Sequence, residues 1–448
     1  MRRLVILALL LGGIQLVLRA GPAEGGGEAL LAFGFLILAA YSVGELTKQF
    51  NQPKIVGYLI AGALFGPSAL NVVTGDAIGQ LDAISDLAIA LIAFLAGAEL
   101  DWGELKKRGV ALTKATGAEL TITFIVIVAA LLLMREHVPF LQGTNLVVTL
   151  TFAGLFASMA IVHSPAVTMA LLTETGARGP VARTTLGVVL LADVAVVLLF
   201  SGALAVARAL VPSGTEGVGS FGATAWEIGG AFPVGALLGG AVALYLRFVK
   251  GEQFLFALLV TFFGLEISRV LHVETLLTLL VAGFVTENVA HGESGRALRH
   301  AMERSAAPVF VIFFALAGAK LELGELVRLW PIVIPIALAR MGGIWLGAQV
   351  GGRWAGLPPE ERDSLWLGLV SQAGVAIGLV TVAGQVYPAA GGDMGTILLA
   401  VIAVNTPLGA VLFRRALARA GELKQSPRGT KAAAVEAATE EPEATPSV

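Results

Sequence analysis

The sequence predicts an all-α, polytopic membrane protein, and three observations carry this prediction. Hydrophobic residues make up 56% of the 448 positions and charged residues only 14%, whereas about 25% are charged in an ordinary soluble domain. The chain also divides into apolar segments of about 17 to 25 residues, the length that crosses a bilayer as a helix. Its 55 glycines suit closely packed membrane helices, because small residues let helix backbones approach each other.

The overall charge and the residue inventory exclude several other classes of protein. A net charge of −2 does not suggest the strongly basic surface that binds nucleic acid, so the lipid bilayer is the expected environment and no nucleic-acid partner is expected. The chain has no cysteine, which excludes disulfides, thiolate metal sites and cysteine nucleophiles. It also has no HExxH, Gly-x-Gly-Asp or Asp-rich pyrophosphate motif, so nothing favours a membrane-embedded enzyme.

Thirteen apolar segments are expected to form the core transmembrane helices. An additional stretch, Leu4–Leu18, is either a further helix or a signal peptide, because Arg2-Arg3 precedes it and small residues follow it. In chain order, segments 1 to 13 are Ala29–Glu45, Ile55–Val73, Ile84–Ala98, Gly109–Met134, Leu146–Leu172, Val181–Ala207, Ala225–Phe248, Phe254–Val270, Glu274–Val289, Ala306–Ala319, Val327–Val350, Leu365–Ala383 and Met394–Leu412.

The positions of Lys and Arg predict the orientation of these segments. Most of those in short loops fall on one side when the C-terminus is placed in the cytoplasm, as the positive-inside rule requires. We therefore expect a multi-pass protein of a bacterial-type inner or plasma membrane. Residues 1–23 would be the N-terminal helix or signal peptide, residues 24–415 the transmembrane domain, and residues 416–448 a disordered cytoplasmic tail of low hydrophobicity.

An internal repeat relates the two halves of the chain. Leu95–Leu105 and Leu316–Leu326 match at eight of eleven positions with a shift of 221 residues, and the same shift carries Gly62 onto Gly283. Segments 3 and 10 enter the membrane from opposite sides, so the repeats have inverted topology, a plan common in secondary transporters. Residues 29–207 would form repeat 1, residues 252–415 repeat 2, and residues 225–248 the linking helix; chance similarity in Ala- and Gly-rich sequence is the alternative.

Two segments are predicted to be broken and crossed near the midplane, where inverted-repeat transporters place their sites. In segment 5 the break is expected at His163-Ser164-Pro165, because proline lacks an amide donor and clashes with the preceding turn. Its counterpart in segment 12 would contain Ser371, Gln372 and Gly374. A simple kink without a functional role is the alternative in both segments.

Asp193 is an isolated acid in the apolar run of segment 6, about twelve residues from its start. An ionised side chain at that depth costs about 2.5 to 3.5 kcal/mol on insertion scales, so such residues usually face a water-filled pathway. One carboxylate can bind either a proton or a small cation, and this competition suffices for exchange. A structural acid paired with a basic side chain is the alternative.

Glu119 and Arg340 are two further intramembrane charges, and the 221-residue shift relates their positions. We expect them to form a structural ion pair near the pseudo-twofold axis, since a buried charge requires a partner. A direct transport role for the pair is the alternative.

Taken in order, several short motifs resemble those of the monovalent cation/proton antiporter superfamily, which contains sodium–proton exchangers and potassium-efflux proteins. The resemblance spans most of residues 29 to 415, and its pieces are Gln52-Pro53-Lys54-Ile55-Val56-Gly57-Tyr58-Leu59-Ile60-Ala61-Gly62, Gly66-Pro67, Phe94-Leu95-Ala96-Gly97-Ala98-Glu99-Leu100, Ser164-Pro165-Ala166-Val167, Ala192-Asp193 and Ser371-Gln372-Ala373-Gly374.

This resemblance implies a homodimer with a mobile core formed by residues 109–207 and 327–415. It implies that Asp193 binds the cation (Na⁺ or K⁺) or the proton, that Ser164 contributes at the break, and that Arg340 stabilises the core. The chain departs from the family at Ala192, where many members have a polar or acidic residue, which suggests one carboxylate and electroneutral exchange. His163 stands where Thr is common, and either senses pH or is a hydrogen-bonded structural residue.

The primary functional hypothesis is therefore Na⁺/H⁺ or K⁺/H⁺ antiport by alternating access, with no cofactor beyond the transported ions. Sodium-coupled transport of an organic anion on the same fold is the alternative; a second cation site would favour it, and the sequence does not reveal one.

Overall fold

The computed structural model describes residues 27–100, 102–211, 221–248, 253–289, 293–372 and 375–423. These residues form helices and connecting turns without β-strands. Seven segments of the described part are long and apolar enough to cross a membrane, and one of them, Leu146–Thr175, comprises two consecutive helices. The prediction of an all-α membrane protein is therefore confirmed, whereas the count of thirteen spans and the repeat layout remain predictions. Residues 1–23, with the Leu4–Leu18 segment, lie outside the described part.

The helices are numbered here in chain order. Their bounds are α1 Gly27–Gln49, α2 Lys54–Phe65, α3 Gly75–Gln80, α4 Asp82–Ala98, α5 Trp102–Leu133, α6 Leu146–Ala160, α7 Pro165–Thr175, α8 Pro180–Leu210, α9 Phe221–Phe248, α10 Gln253–Leu271, α11 Thr275–Val289, α12 Glu293–Ala319, α13 Leu323–Ala355, α14 Pro359–Leu369, α15 Val375–Val386 and α16 Pro388–Arg419. A short 3₁₀ turn covers Pro139–Leu141.

Several predicted boundaries differ from the ends of the helices, and two of them are corrected here with their physical reason. Segment 2 was expected to reach Val73, but α2 ends at Phe65 because Gly66 is extended and Pro67 follows it. The tail was expected to begin at residue 416, but α16 continues to Arg419, since Ala416 and Leu417 are buried. Residues 424–448 of the predicted tail lie outside the described part.

The helices pack in two groups. The frame helices are α1, α2, α4, α9, α10, α11 and α12, with the main contacts between α9 and α11, α11 and α4, α1 and α2, and α2 and α12. The core helices are α5 to α8 and α13 to α16, in which α5 packs along α13 and α15 along α16. Helix α7 also touches α4 and α12, so it lies where the two groups meet.

Glycines bring the frame helices into backbone contact at two crossings. A Cβ at Gly62 would overlap the carbonyl oxygen of Ala315 on α12, and one at Gly283 would overlap that of Phe94 on α4. Gly318 and Gly97 are equally crowded from the opposite sides of these crossings. The 221-residue shift relates Gly62 to Gly283 and Gly97 to Gly318, so the two crossings are arranged as the proposed repeat would require.

Two of the helices that lack a capping side chain at the residue before their N-terminus are capped by a glutamate from another part of the chain. Pro53 precedes α2 without a side-chain cap, and both carboxylate oxygens of Glu174 accept from Lys54 N at 3.1 Å. Gly179 precedes α8, and Glu422 accepts from Val181 N at 2.7 Å and from Ala182 N at 3.0 Å. A carboxylate at a helix N-terminus is favourable because it meets free amides and the positive dipole end.

The Glu174 contact also joins a core helix to a frame helix, and a second link lies at the same end of the molecule. The guanidinium of Arg414 on α16 donates to the backbone oxygen and to Oδ1 of Asn51, both at 2.8 Å. Asn51 lies in the turn between α1 and α2. The core and frame helices are thus hydrogen-bonded to each other at the end where α2 and α8 begin.

Candidate functional site

The first helix break separates α6 from α7. The chain leaves the helix after Ala160, and α7 begins at Pro165. Proline suits the first helical position, because a backbone amide there makes no hydrogen bond within the helix. Ser164 is the N-cap, and its Oγ accepts from Val167 N at 3.2 Å. The buried Ser164 hydroxyl therefore has a defined role in ending the break.

The second break lies between α14 and α15, and Gln372 connects it to the first. The buried Gln372 side chain donates to Ala160 O at 2.7 Å and accepts from Asn405 Nδ2 at 2.9 Å. Oγ of the neighbouring Ser371 is buried without a hydrogen-bond partner in the described part of the chain. Gly374 lies outside the described residues, so its predicted place at this break is not tested.

Arg340 on α13 lies between the two breaks and is fully buried. Its guanidinium donates to the carbonyl oxygens of Ala160 and Val162 at 2.7 Å and of Val370 at 2.6 Å, with a longer contact to Leu369 O at 3.4 Å. These carbonyls belong to the C-terminal ends of the half-helices α6 and α14 and to the residues that follow them. Because helix C-termini carry partial negative charge, the guanidinium compensates both ends together.

Glu119 does not form the direct ion pair with Arg340 that the sequence suggests. Its Oε2 lies 3.0 Å from His163 Nε2, and its Oε1 accepts from Thr123 at 2.8 Å. The reason is geometric: the guanidinium donates its hydrogen bonds to carbonyl oxygens, and the His163 ring lies closer to Glu119.

The contacts of His163 specify where its protons lie. Nδ1 is 2.7 Å from Leu369 O, a carbonyl that can only accept, so Nδ1 carries a hydrogen. The contact of Nε2 with Glu119 then holds one further proton, carried either by the imidazole or by the carboxyl group. His163 is fully buried and has the geometry of the structural alternative, and a role in pH sensing stays untested.

A cavity of about 60 Å³ brings some of the predicted site residues together. Asp193, Ser164 and Pro165 line it with Val375, the first residue of α15. Oδ1 of Asp193 is buried without a hydrogen-bond partner in the described part of the chain. The N-terminal ends of both half-helices thus face the same space as a carboxylate oxygen that is free to accept a ligand. His163, Ser371 and Gln372 do not line this cavity. They lie in the two helix breaks.

Glu274 is a cavity residue that the sequence analysis did not select as a site. It immediately precedes α11 and lines the same cavity as Asp193. In the sequence it stands at the start of predicted segment 9, where an acidic residue is ordinary. The one available signal was its acidic character at the edge of an apolar segment, and only the fold shows that it shares a cavity with Asp193.

Comparisons with known proteins agree on one family. The family model described as "Sodium/hydrogen exchanger, transmembrane" matches residues 34–418. The chain is 24% identical to a probable Na⁺/H⁺ antiporter, GerT, of Bacillus cereus, over 76% of this chain and 87% of that protein. It is 26% identical to the glutathione-regulated potassium-efflux system protein KefC of Salmonella schwarzengrund, over 87% of this chain and 60% of that protein.

The solved structures include a similar fold. The sodium proton antiporter MjNhaP1 of Methanocaldococcus jannaschii superposes with a TM-score of 0.67, covering 86% of this chain and 96% of that one. The sequence identity is 16%, so this likeness concerns the fold.

Proposed function

Because the chain belongs to the sodium/hydrogen exchanger family of transmembrane proteins, we propose that it exchanges Na⁺ or K⁺ for H⁺ by alternating access. The core helices carry Asp193 between the two sides of the membrane, while the frame helices stay in place. Asp193 binds either the cation or the proton, so each must leave before the other enters.

The observation that supports this proposal most directly is the unpartnered Oδ1 of Asp193 in the cavity. A buried carboxylate oxygen without a donor is costly, and a proton or a cation removes that cost. Ser164 and the first residues of α7 and α15 line the same cavity. Since one positive ion replaces another on one carboxylate, the proposed exchange is electroneutral.

Proton movement in proteoliposomes tests the proposal. The wild-type protein should alkalinise or acidify the lumen when Na⁺ or K⁺ is added, at a rate that an imposed membrane potential leaves unchanged. Asp193→Asn should fold and lose this activity, because an amide cannot exchange a proton for a cation. Asp393→Asn makes the same change at an exposed position on α16 and should keep it. Cation-driven proton movement by Asp193→Asn would refute the assignment.

The alternative of sodium-coupled organic-anion transport is not favoured. The matched relatives named above are described as antiporters or a potassium-efflux system, and both ionisable residues among the cavity-lining residues are acids. An organic anion would meet like charge there.

We also propose that the protein is a homodimer whose C-terminus lies in the cytoplasm. A native mass twice that of one chain tests the first point. The second can be tested with one introduced cysteine, Arg419→Cys, because the chain has no cysteine of its own; labelling from the outer side would contradict it.

A further inference from the structure

Glu274 and Asp193 are the two ionisable residues among those that line the cavity in the described part of the chain. Most of the other lining residues are apolar, including Ile92, Leu277 and Phe313. An apolar wall screens charge poorly, so a carboxylate there attracts a cation more strongly than one in open water. The cavity therefore offers a cation two carboxylates, of which only Asp193 has a role in the proposed exchange.

The two carboxylates belong to different groups of helices. Asp193 lies on the core helix α8, about midway between Pro180 and Leu210. Glu274 lies at the start of the frame helix α11, at the end of the molecule where α10 finishes, and its backbone N donates to Glu227 O on α9 at 2.8 Å. The predicted orientation places this end outside. Glu274 thus lies at the outer end of the cavity on helices that do not carry Asp193.

The Glu274 carboxylate is held in place by its own helix. Its Oε2 accepts a hydrogen bond from Leu277 N in the first turn of α11. Capping alone does not explain a glutamate at this position, because Ser, Thr, Asp and Asn are the preferred residues there. What glutamate adds is a longer arm that brings a carboxylate to the cavity.

From this placement we propose that Glu274 is the outer docking residue for the transported cation. It binds Na⁺ or K⁺ arriving from outside and holds it beside Asp193 until Asp193 releases its proton. Since Glu274 is part of the frame, it acts only while Asp193 faces the outer side. This inference rests on the proposed cation/proton exchange and assigns to it a second carboxylate that acts on one side of the membrane.

The test compares cation titrations from the two sides, in right-side-out and inside-out vesicles containing the full chain. Glu274→Gln removes the charge but keeps an oxygen that can accept from Leu277 N. We expect the apparent KM for the cation to rise about three- to tenfold from the outer side, as for the loss of a charge that concentrates a substrate. The inner-side KM and the maximal rate should stay within twofold of the wild-type values.

Matched variants separate this role from a structural one. Glu266→Gln removes a charge at the same end of the molecule, from a side chain that is 46% exposed and does not line the cavity, and should leave both KM values unchanged. Glu274→Asp should restore part of the outer-side affinity. Glu274→Thr retains a capping oxygen without the charge, so it should behave as Glu274→Gln does, and it serves if the latter does not fold.

Each outcome has a distinct meaning. A side-specific KM change at Glu274 supports the inference. A wild-type outer-side KM in Glu274→Gln, or an equal change on both sides, overturns it while leaving the exchange by Asp193 intact. If the wild-type protein moves no protons in response to Na⁺ or K⁺, the proposed function itself fails.

Discussion

Replacing Arg340 tests whether the two helix breaks depend on one side chain. In Arg340→Met the carbonyls of Ala160 and Leu369 keep their other donors, Gln372 Nε2 at 2.7 Å and His163 Nδ1 at 2.7 Å. The carbonyls of Val162 and Val370 lose the guanidinium, which is their hydrogen-bond donor in the described structure.

The magnitude follows from these two acceptors. A buried acceptor without a donor costs about 1 to 3 kcal/mol, so the variant should lose roughly 2 to 6 kcal/mol of unfolding free energy. The loss should lie toward the lower end, because removing a buried charge also removes its desolvation cost. The stability of Arg340→Lys should lie between those of the wild-type protein and Arg340→Met. One lysine ammonium cannot donate to the carbonyls of both helix breaks as the forked guanidinium does.

Denaturant titration of the purified protein in detergent micelles measures this loss. Arg328→Met is the matched control, because Arg328 lies on the same helix with its side chain 70% exposed, and exposed ion pairs contribute about 0 to 1 kcal/mol. If Arg340→Met is no less stable than Arg328→Met, the two breaks do not depend on the guanidinium.

Two further changes probe packing and capping, both read as thermal stability in detergent. Gly283→Ala should destabilise the protein by about 1 to 3 kcal/mol, because the added Cβ overlaps the Phe94 carbonyl oxygen. Gly342→Ala is the control: it has open space around it and should be neutral or slightly stabilising. Equal effects of the two changes would contradict the close helix crossing. Glu422→Ala should cost about 1 kcal/mol, the usual value for a lost N-terminal cap, and an unchanged stability would mean that Val181 N is satisfied in another way.

The features that depend on local chemistry could be predicted from the sequence. Pro165 disfavours a continuous helix because it lacks the amide donor, and α7 begins at that residue. Asp193 stands out because a carboxylate in an apolar run is costly wherever the helix packs. The long apolar segments predict helices for the same reason, since a backbone in lipid must satisfy its own hydrogen bonds.

The features that depend on contacts between distant segments could not be predicted. Glu119 and His163 are separated by 44 positions. Glu119 lies near Arg340 because α5 packs along α13, and His163 lies there because the first helix break does. The 221-residue shift correctly indicated that Glu119 lies near Arg340, but the side chain that Glu119 contacts is His163. Glu274 was missed because its sequence surroundings are those of an ordinary helix start, and the cavity that it lines is formed by several helices.

The links from Lys54 N to Glu174 and from Asn51 to Arg414 have an energetic consequence for the proposed exchange. They lie at the opposite end of the molecule from Glu274, and a displacement of the core helices away from the frame helices at that end would break them. Hydrogen bonds of this kind contribute about 0.5 to 1.5 kcal/mol each, and less where water reaches them. Their sum is comparable to the few kcal/mol that separate interconverting conformations. The free energy that holds the core and frame helices together at this end is then small enough for a bound ion to offset it.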